Sequence, residues 1–144
     1  MVILAADVGN TDAVFGLIEN GVILQSFRLK SKIPRTSDEL DHFLKAYQKA
    51  DRLVFCSVVP EWSELLQEYA LQNGISILEV RHNIQLPFQF DYDSPETLGH
   101  DRIANAAAAV EIYGENIIVV DFGTAITFCS ICNRMYKGGC IIPG

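Results

Sequence analysis

Residues 2–21, VILAADVGNTDAVFGLIENG, and 116–134, NIIVVDFGTAITFCSICNR, carry one pattern twice. This repeat constrains the fold more than any other feature of the chain. Each copy is an apolar run that ends in Asp-x-Gly, passes a Thr, resumes as a second apolar run and closes on an Asn. With one residue deleted from the second copy, Asp7 and Gly9 fall on Asp121 and Gly123, 114 positions on. Thr11, Phe15, Ile18 and Asn20 then fall on Thr124, Phe128, Ile131 and Asn133, 113 positions on. Apolar matches between two strands arise readily by chance. The aligned Asp, Gly, Thr and turn Asn do not, and they predict an internal duplication.

A strand–turn–strand interrupted by a carboxylate, a glycine, an amide and a hydroxyl has two readings. One is a tight turn, for which Asp-x-Gly is common. The other is a phosphate site. An Asp at the end of the first strand can hold a hydrated Mg²⁺ or orient a nucleophile. Gly lets the backbone approach a phosphate, and the following N–H groups and Thr hydroxyl can donate to its oxygens. Two such loops facing each other across a cleft would clamp a nucleotide, and the repeat favours this second reading.

Between the copies, 2–7, 13–18 and 22–29 read as strands, with Asn20-Gly21 as a hairpin signal because both turn positions need positive φ. Thr36 and Glu39 form a capping box that opens a helix to about Lys49, with Leu40, Phe43, Leu44 and Tyr47 inward. A strand at 52–58 is followed by a helix at 61–73 with Trp62, Leu65, Leu66 and Tyr69 inward, stopped by Gly74. A strand at 75–80, an irregular stretch at 81–100 and an alanine-rich helix at 101–113 lead to the second copy. The order is α/β, an antiparallel hairpin running into crossovers that imply parallel strands. The expected domains are 1–114 and the start of a second at 115–144. That second domain has received only about 29 residues by Gly144, so the chain is expected to be the N-terminal part of something longer.

The chain has 144 residues and a net charge of −7. An acidic balance argues against nucleic acid or an anionic membrane as partner. The apolar runs are short, and the N-terminus lacks a basic start, which predicts a cytoplasmic protein. Cys129 and Cys132 form a C-x-x-C within AITFCSIC. With Cys140 nearby this could suggest zinc or redox chemistry, but positions three apart on a strand point to opposite faces, so buried or half-buried free thiols are expected instead. Lys30, Lys32 and Arg35 form a modest cationic stretch, expected to be solvated.

A third polar cluster is YDSPETLGHDRIANA, 92–106. Asp101 reads equally as a helix N-terminal acid or as a general base near a substrate hydroxyl. Arg102 would anchor a carboxylate in the second case. His100 reads as a loop residue rather than a catalyst.

Together these motifs resemble one family, type III pantothenate kinase, within the acetate and sugar kinase/Hsc70/actin superfamily. The resemblance rests on Asp7-x-Gly9-Asn10-Thr11, Ser57-Val58-Val59-Pro60, Tyr92, Gly99-x-Asp101-Arg102, Asp121-x-Gly123-Thr124-Ala125, Gly138-Gly139 and Pro143-Gly144. It implies a ribonuclease H-like (actin-like ATPase) mixed sheet with helices, duplicated, with the second copy incomplete here. It implies ATP- and Mg²⁺-dependent phosphorylation of pantothenate, the first step of coenzyme A synthesis. Asp7, Val8, Gly9, Asn10, Thr11, Asp12, Ala13 and Val14 would form the first ATP loop, and Thr124 would also contact ATP. Asp101 would accept the proton, and Tyr92, Gly99, His100, Asp101 and Arg102 would line the pantothenate pocket. Asp121 would hold a monovalent cation, K⁺ or NH₄⁺. Members are homodimers, which implies the same here. The same resemblance includes proteins first described as transcription accessory factors, and a non-catalytic regulator of this fold is the alternative.

Overall fold

The computed structural model describes residues 1–32, 34, 36–47 and 50–144, without the side chain of residue 46. The expected helix end near Lys49 and Arg35 of the cationic stretch lie outside the described residues. Two compact units result, Met1–Val80 and Arg81–Gly144.

In the first unit, β1 (Val2–Val8), β2 (Asp12–Glu19) and β3 (Val22–Lys30) form an antiparallel meander. β4 (Arg52–Ser57) and β5 (Ser76–Glu79) join parallel to β1, giving the order β3-β2-β1-β4-β5. α1 (Ser37–Leu44) starts on Thr36, whose Oγ1 accepts from the Glu39 N–H at 3.2 Å, as the capping box requires. It tightens into a 3₁₀ turn at Lys45–Tyr47. α2 (Pro60–Asn73) has Pro60 in its first turn and ends on Gly74 at φ 65°. There the Ile75 N–H donates to the Ala70 carbonyl at 2.9 Å.

The inward face of α2 is as expected: Trp62, Leu65, Leu66 and Tyr69 are all buried. On α1 the expectation fails at one residue. Leu40, Leu44 and Tyr47 are buried but Phe43 is exposed. Buried positions four and then three apart leave a narrow stripe, and Phe43 falls outside it against His42. Behind the meander, Phe15 stacks on Phe27 at 4.9 Å and Phe27 on Tyr47 at 4.6 Å. The Trp62 indole N–H reaches the Ser31 carbonyl at 2.8 Å.

The second unit holds β6 (Gln89–Phe90), α3 (His100–Tyr113), β7 (Ile117–Phe122), β8 (Ala125–Cys132) and β9 (Met135–Pro143). Its sheet order is β6-β9-β8-β7. Strands β7–β9 repeat β1–β3 in detail. Asp7 pairs with Val14 across β1 and β2, and Asp121 pairs with Thr127 across β7 and β8. Ile3 pairs with Ile18, and Ile117 with Ile131. A bulge falls between Leu17 and Ile18 in one copy and between Ser130 and Ile131 in the other. Asn20 and Asn133 open the two turns at the same φ of 51°. In the second turn a left-handed Arg134 (φ 57°) stands where the first has Gly21. The Pro87 carbonyl, 3.1 Å from its Nη1, and Glu115 hold that residue in place.

The copies differ in what covers them. Leu4 and Val8 on β1 are 0% exposed, under α1 and α2, whereas their counterparts Ile118 and Phe122 on β7 are 70% and 78% exposed. The opposite face of β7, which carries Asp121, meets α3.

Candidate active site

In the first unit the turn after β1 is built from main-chain bonds. The Gly9 N–H donates to the Asp12 carbonyl at 2.9 Å. The Gly9 carbonyl accepts from Ser31 Oγ at 2.6 Å, and the Thr11 carbonyl from the Ser31 N–H at 3.0 Å. These bonds fix the loop while Asp7, Asn10 and Thr11 stay exposed. The Cys56 thiol, from the neighbouring β4 position, donates to Asp7 Oδ1 at 3.3 Å. Val8 and Ala13 are buried in the core, so only their backbone can meet a ligand. The Asp12 carboxylate pairs with Lys30 at 2.8 Å and Arg28 at 3.4 Å. The Lys30 ammonium holds its carboxyl below the usual range, with Arg28 adding to the effect. The expected solvation of the cationic stretch is thus modified at Lys30, which is exposed but paired.

The second unit repeats the turn one residue shorter, with the Gly123 N–H on the Ala125 carbonyl at 3.1 Å and Thr124 exposed. α3 brings its first two turns against the Asp121 face. Gly99 is its N-cap, and Asp101 lies in the first turn, not at the cap position. Asp101 Oδ1 accepts from the Arg102 N–H at 2.8 Å. One turn on, Asn105 Nδ2 donates to Asp121 Oδ2 at 3.0 Å. Arg102 extends to β8, with Nη2 on the Phe128 carbonyl at 2.9 Å and Nε on Cys129 Sγ at 3.3 Å. Cys129 Sγ also accepts from the buried Tyr136 hydroxyl at 3.2 Å. Burial opposes the Arg102 charge, but Cys129, Tyr136 and Asp101 together more than offset it and the guanidinium pKa is raised. Burial, and next the same sulfur, raise the Tyr136 phenol.

Tyr92 stands with its ring edge toward Tyr136, centroids 6.1 Å apart. A Cβ on Gly138 (φ 120°) would come within 3.4 Å of the Tyr92 ring. A Cβ on Gly139 would fall on the Phe128 carbonyl and 2.5 Å from Arg102 Nη2. The two glycines therefore leave the space that Tyr92 and Arg102 occupy. His100 opens α3 half-buried.

In the second unit the structure thus gathers Tyr92, Asp101, Arg102 and Asp121, and adds Asn105, Cys129 and Tyr136, which the sequence reading did not assign. Asn105 was within reach of that reading, since it lies four residues after Asp101 on one helical face. The sequence reads Cys129 as a buried or half-buried thiol rather than a zinc or redox residue, and assigns it no hydrogen-bonding role. None of the four cysteines forms a disulfide; Cys129 is buried and Cys132 exposed, as opposite strand faces require. The expectation of burial fails at Cys132 and Cys140, which lie on exposed strand positions. Among the described residues no three His, Cys, Asp or Glu side chains group as a metal site. A cation here would be held by single carboxylates with water and phosphate oxygens, a set that suits Mg²⁺. No helix among the described residues is long and apolar enough to cross a membrane.

These elements define a class first. The fold matches that of a solved protein from Sinorhizobium meliloti proposed to be a 2-dehydro-3-deoxygalactonokinase. The TM-score is 0.64 at 16% identity, over 96% of this chain and 52% of that one. The chain has the mixed α/β fold of the sugar kinases and actin-like ATPases. The model of the type III pantothenate kinase family matches residues 3–144, and the chain belongs to that family. A type III pantothenate kinase from Halalkalibacterium halodurans is 37% identical, covering 99% of this chain and 60% of that protein. A solved Campylobacter jejuni protein, proposed to be a Baf family transcriptional activator, is 30% identical with a TM-score of 0.58. That match covers 98% of this chain and 54% of the other. The chain therefore spans about 60% of the length of the curated relative it matches.

Proposed function

We propose that this chain carries the substrate-binding and catalytic part of a kinase that transfers the γ-phosphoryl group of ATP to the primary hydroxyl of pantothenate. The observation that supports the reading is the first half of α3, which carries Asp101 and Arg102 in its first turn, ties Arg102 to the Phe128 carbonyl and, one turn on, bonds Asn105 to Asp121. Asp101 takes the hydroxyl proton as the oxygen attacks phosphorus, and its Oδ1 contact with the Arg102 amide fixes the carboxylate. Arg102 receives the substrate carboxylate, and Tyr92 with Gly99–Arg102 lines the pocket. The 7–14 loop and Thr124 hold the triphosphate, through backbone groups at Val8 and Ala13. Residues 1–114 and 115–144 are, on this reading, the two duplicated domains whose loops take the nucleotide. When bound, Mg²⁺ neutralises charge on the transferring group, and Asp7 is the exposed carboxylate suited to hold it. A monovalent cation, K⁺ or NH₄⁺, rests on Asp121, which Asn105 orients. A homodimer and a cytoplasmic setting complete the proposal, with neither nucleic acid nor membrane as partner.

The Campylobacter relative supports a second reading, a nucleotide-binding regulator without catalysis. The intact Asp101 favours the enzyme, since a regulator has no use for a base at that position. Mass spectrometry of the natural full-length protein with ATP and pantothenate tests the choice. Phosphopantothenate should form, and Asp101→Asn should suppress it. Nucleotide binding with no phosphorylated product would favour the regulator.

A further inference from the structure

Arg102 has more holding it than an exposed substrate anchor requires. Its Nε points at Cys129 Sγ (3.3 Å) and its Nη2 at the Phe128 carbonyl (2.9 Å), consecutive residues of β8. The sulfur is buried and accepts a second hydrogen bond, from Tyr136 at 3.2 Å. Tyr136 in turn contacts the Tyr92 ring, so one buried phenol touches both the sulfur behind Arg102 and the second side chain proposed to meet substrate. Nε and one Nη are thereby engaged on the side facing β8, while the fork retains further N–H donors. A guanidinium prepared in this way loses less rotamer freedom on binding a carboxylate than a mobile one does.

We infer that Cys129, backed by Tyr136, is a positioning residue that sets the Arg102 guanidinium to receive the carboxylate end of the substrate. The inference rests on the function proposed above, because it takes Arg102 as the carboxylate anchor. The thiol acts as a hydrogen-bond acceptor, with no covalent or redox step. It selects for substrates that carry a carboxylate, and it leaves phosphoryl transfer at the far end of the substrate untouched.

The test compares pantothenate with pantothenol, its alcohol analogue, in the natural full-length protein. Cys129→Ala and Tyr136→Phe should each raise the KM for pantothenate about three- to tenfold, the span expected for one lost orienting hydrogen bond. They should leave kcat and the KM for pantothenol near wild type. Cys129→Ser, which keeps an acceptor, should restore the pantothenate KM. A merely structural role would move both substrates together and would not be rescued by serine. Equal effects on the two substrates, or unchanged discrimination in folded variants, overturn the inference. Should Cys129→Ala fail to fold, Tyr136→Phe carries the test alone, because it removes one oxygen and keeps the ring contacts. Arg102→Gln separates the two levels. If it too leaves pantothenate and pantothenol as different as in wild type, the anchor role of Arg102 is wrong. If it abolishes the difference while the Cys129 and Tyr136 variants do not, only the positioning inference fails.

Discussion

Replacing Gly139 by alanine perturbs the site by one methyl group, and the structure sets the size of the effect. Gly139 lies opposite Cys129 in the β8–β9 ladder. Its Cβ would overlap the Phe128 carbonyl and lie 2.5 Å from Arg102 Nη2 and 2.8 Å from the Phe128 carbonyl carbon. Backbone on a paired strand cannot rotate away as a side-chain tip can, so β9 must shift away from Phe128, and Arg102 must yield as well. Overpacking of this kind costs about 1–3 kcal/mol. Displacing Arg102 also removes its 2.9 Å bond to the Phe128 carbonyl. A hydrogen bond to a charged group contributes about 1.5–3 kcal/mol. The two terms share the Phe128 carbonyl and so do not add fully, and a total near 3 kcal/mol is expected. Urea unfolding of the natural full-length protein should show that loss, and the pantothenate KM should rise at least tenfold. A Gly139→Ala protein within about 0.5 kcal/mol of wild type and with unchanged KM would refute the close approach described here.

Asp101→Asn should lower kcat by about 10²–10⁴, the span for loss of a general base, while ATP binding by calorimetry is retained. Asn105→Ala should cost about 1–2 kcal/mol in urea unfolding, because the half-buried Asp121 carboxylate loses a donor at 3.0 Å. Asn105→Asp should cost more, since it sets two carboxylates together. Tyr69 is fully buried, and burial pushes its phenol up to about 12 from 10.0. A raised folded-state pKa means that its contribution is whole below pH 10 and is lost as pH climbs toward 12. Alkaline titration of stability should therefore fall less in Tyr69→Phe, by up to about 3 kcal/mol at about 1.4 kcal/mol per pH unit.

The sequence pattern disclosed the repeat, and the structure extends it to register, bulge and turn, because period-two alternation and paired Asp-x-Gly signals survive divergence. The helices read well where one strong signal bounded them: Thr36 at the start of α1, Pro60 and Gly74 around α2. Strand β9 was not legible. Gly138-Gly139 and Pro143 argue against a strand locally, and only the needs of Tyr92 and Arg102 explain the glycines there. The compact units part at Val80, ahead of the repeat boundary near 114, because α3 packs on the Asp121 face of the second sheet. Periodicity along α3 cannot show which sheet its alanines meet. Asp7, Asp101, Arg102 and Asp121 stand out in the sequence by residue type alone. Cys129 and Tyr136 did not, since a thiol and a phenol in apolar strands read as core until a guanidinium is found beside them.

The proposed pantothenate kinase activity turns on Asp101, in the first turn of α3, acting as the base. A coupled ADP-release assay on the natural protein tests it most directly, run with and without pantothenate and K⁺. ADP release should require pantothenate, increase with K⁺ and disappear in Asp101→Asn. ADP release that ignores pantothenate, or that persists undiminished in a folded Asp101→Asn protein, would contradict it.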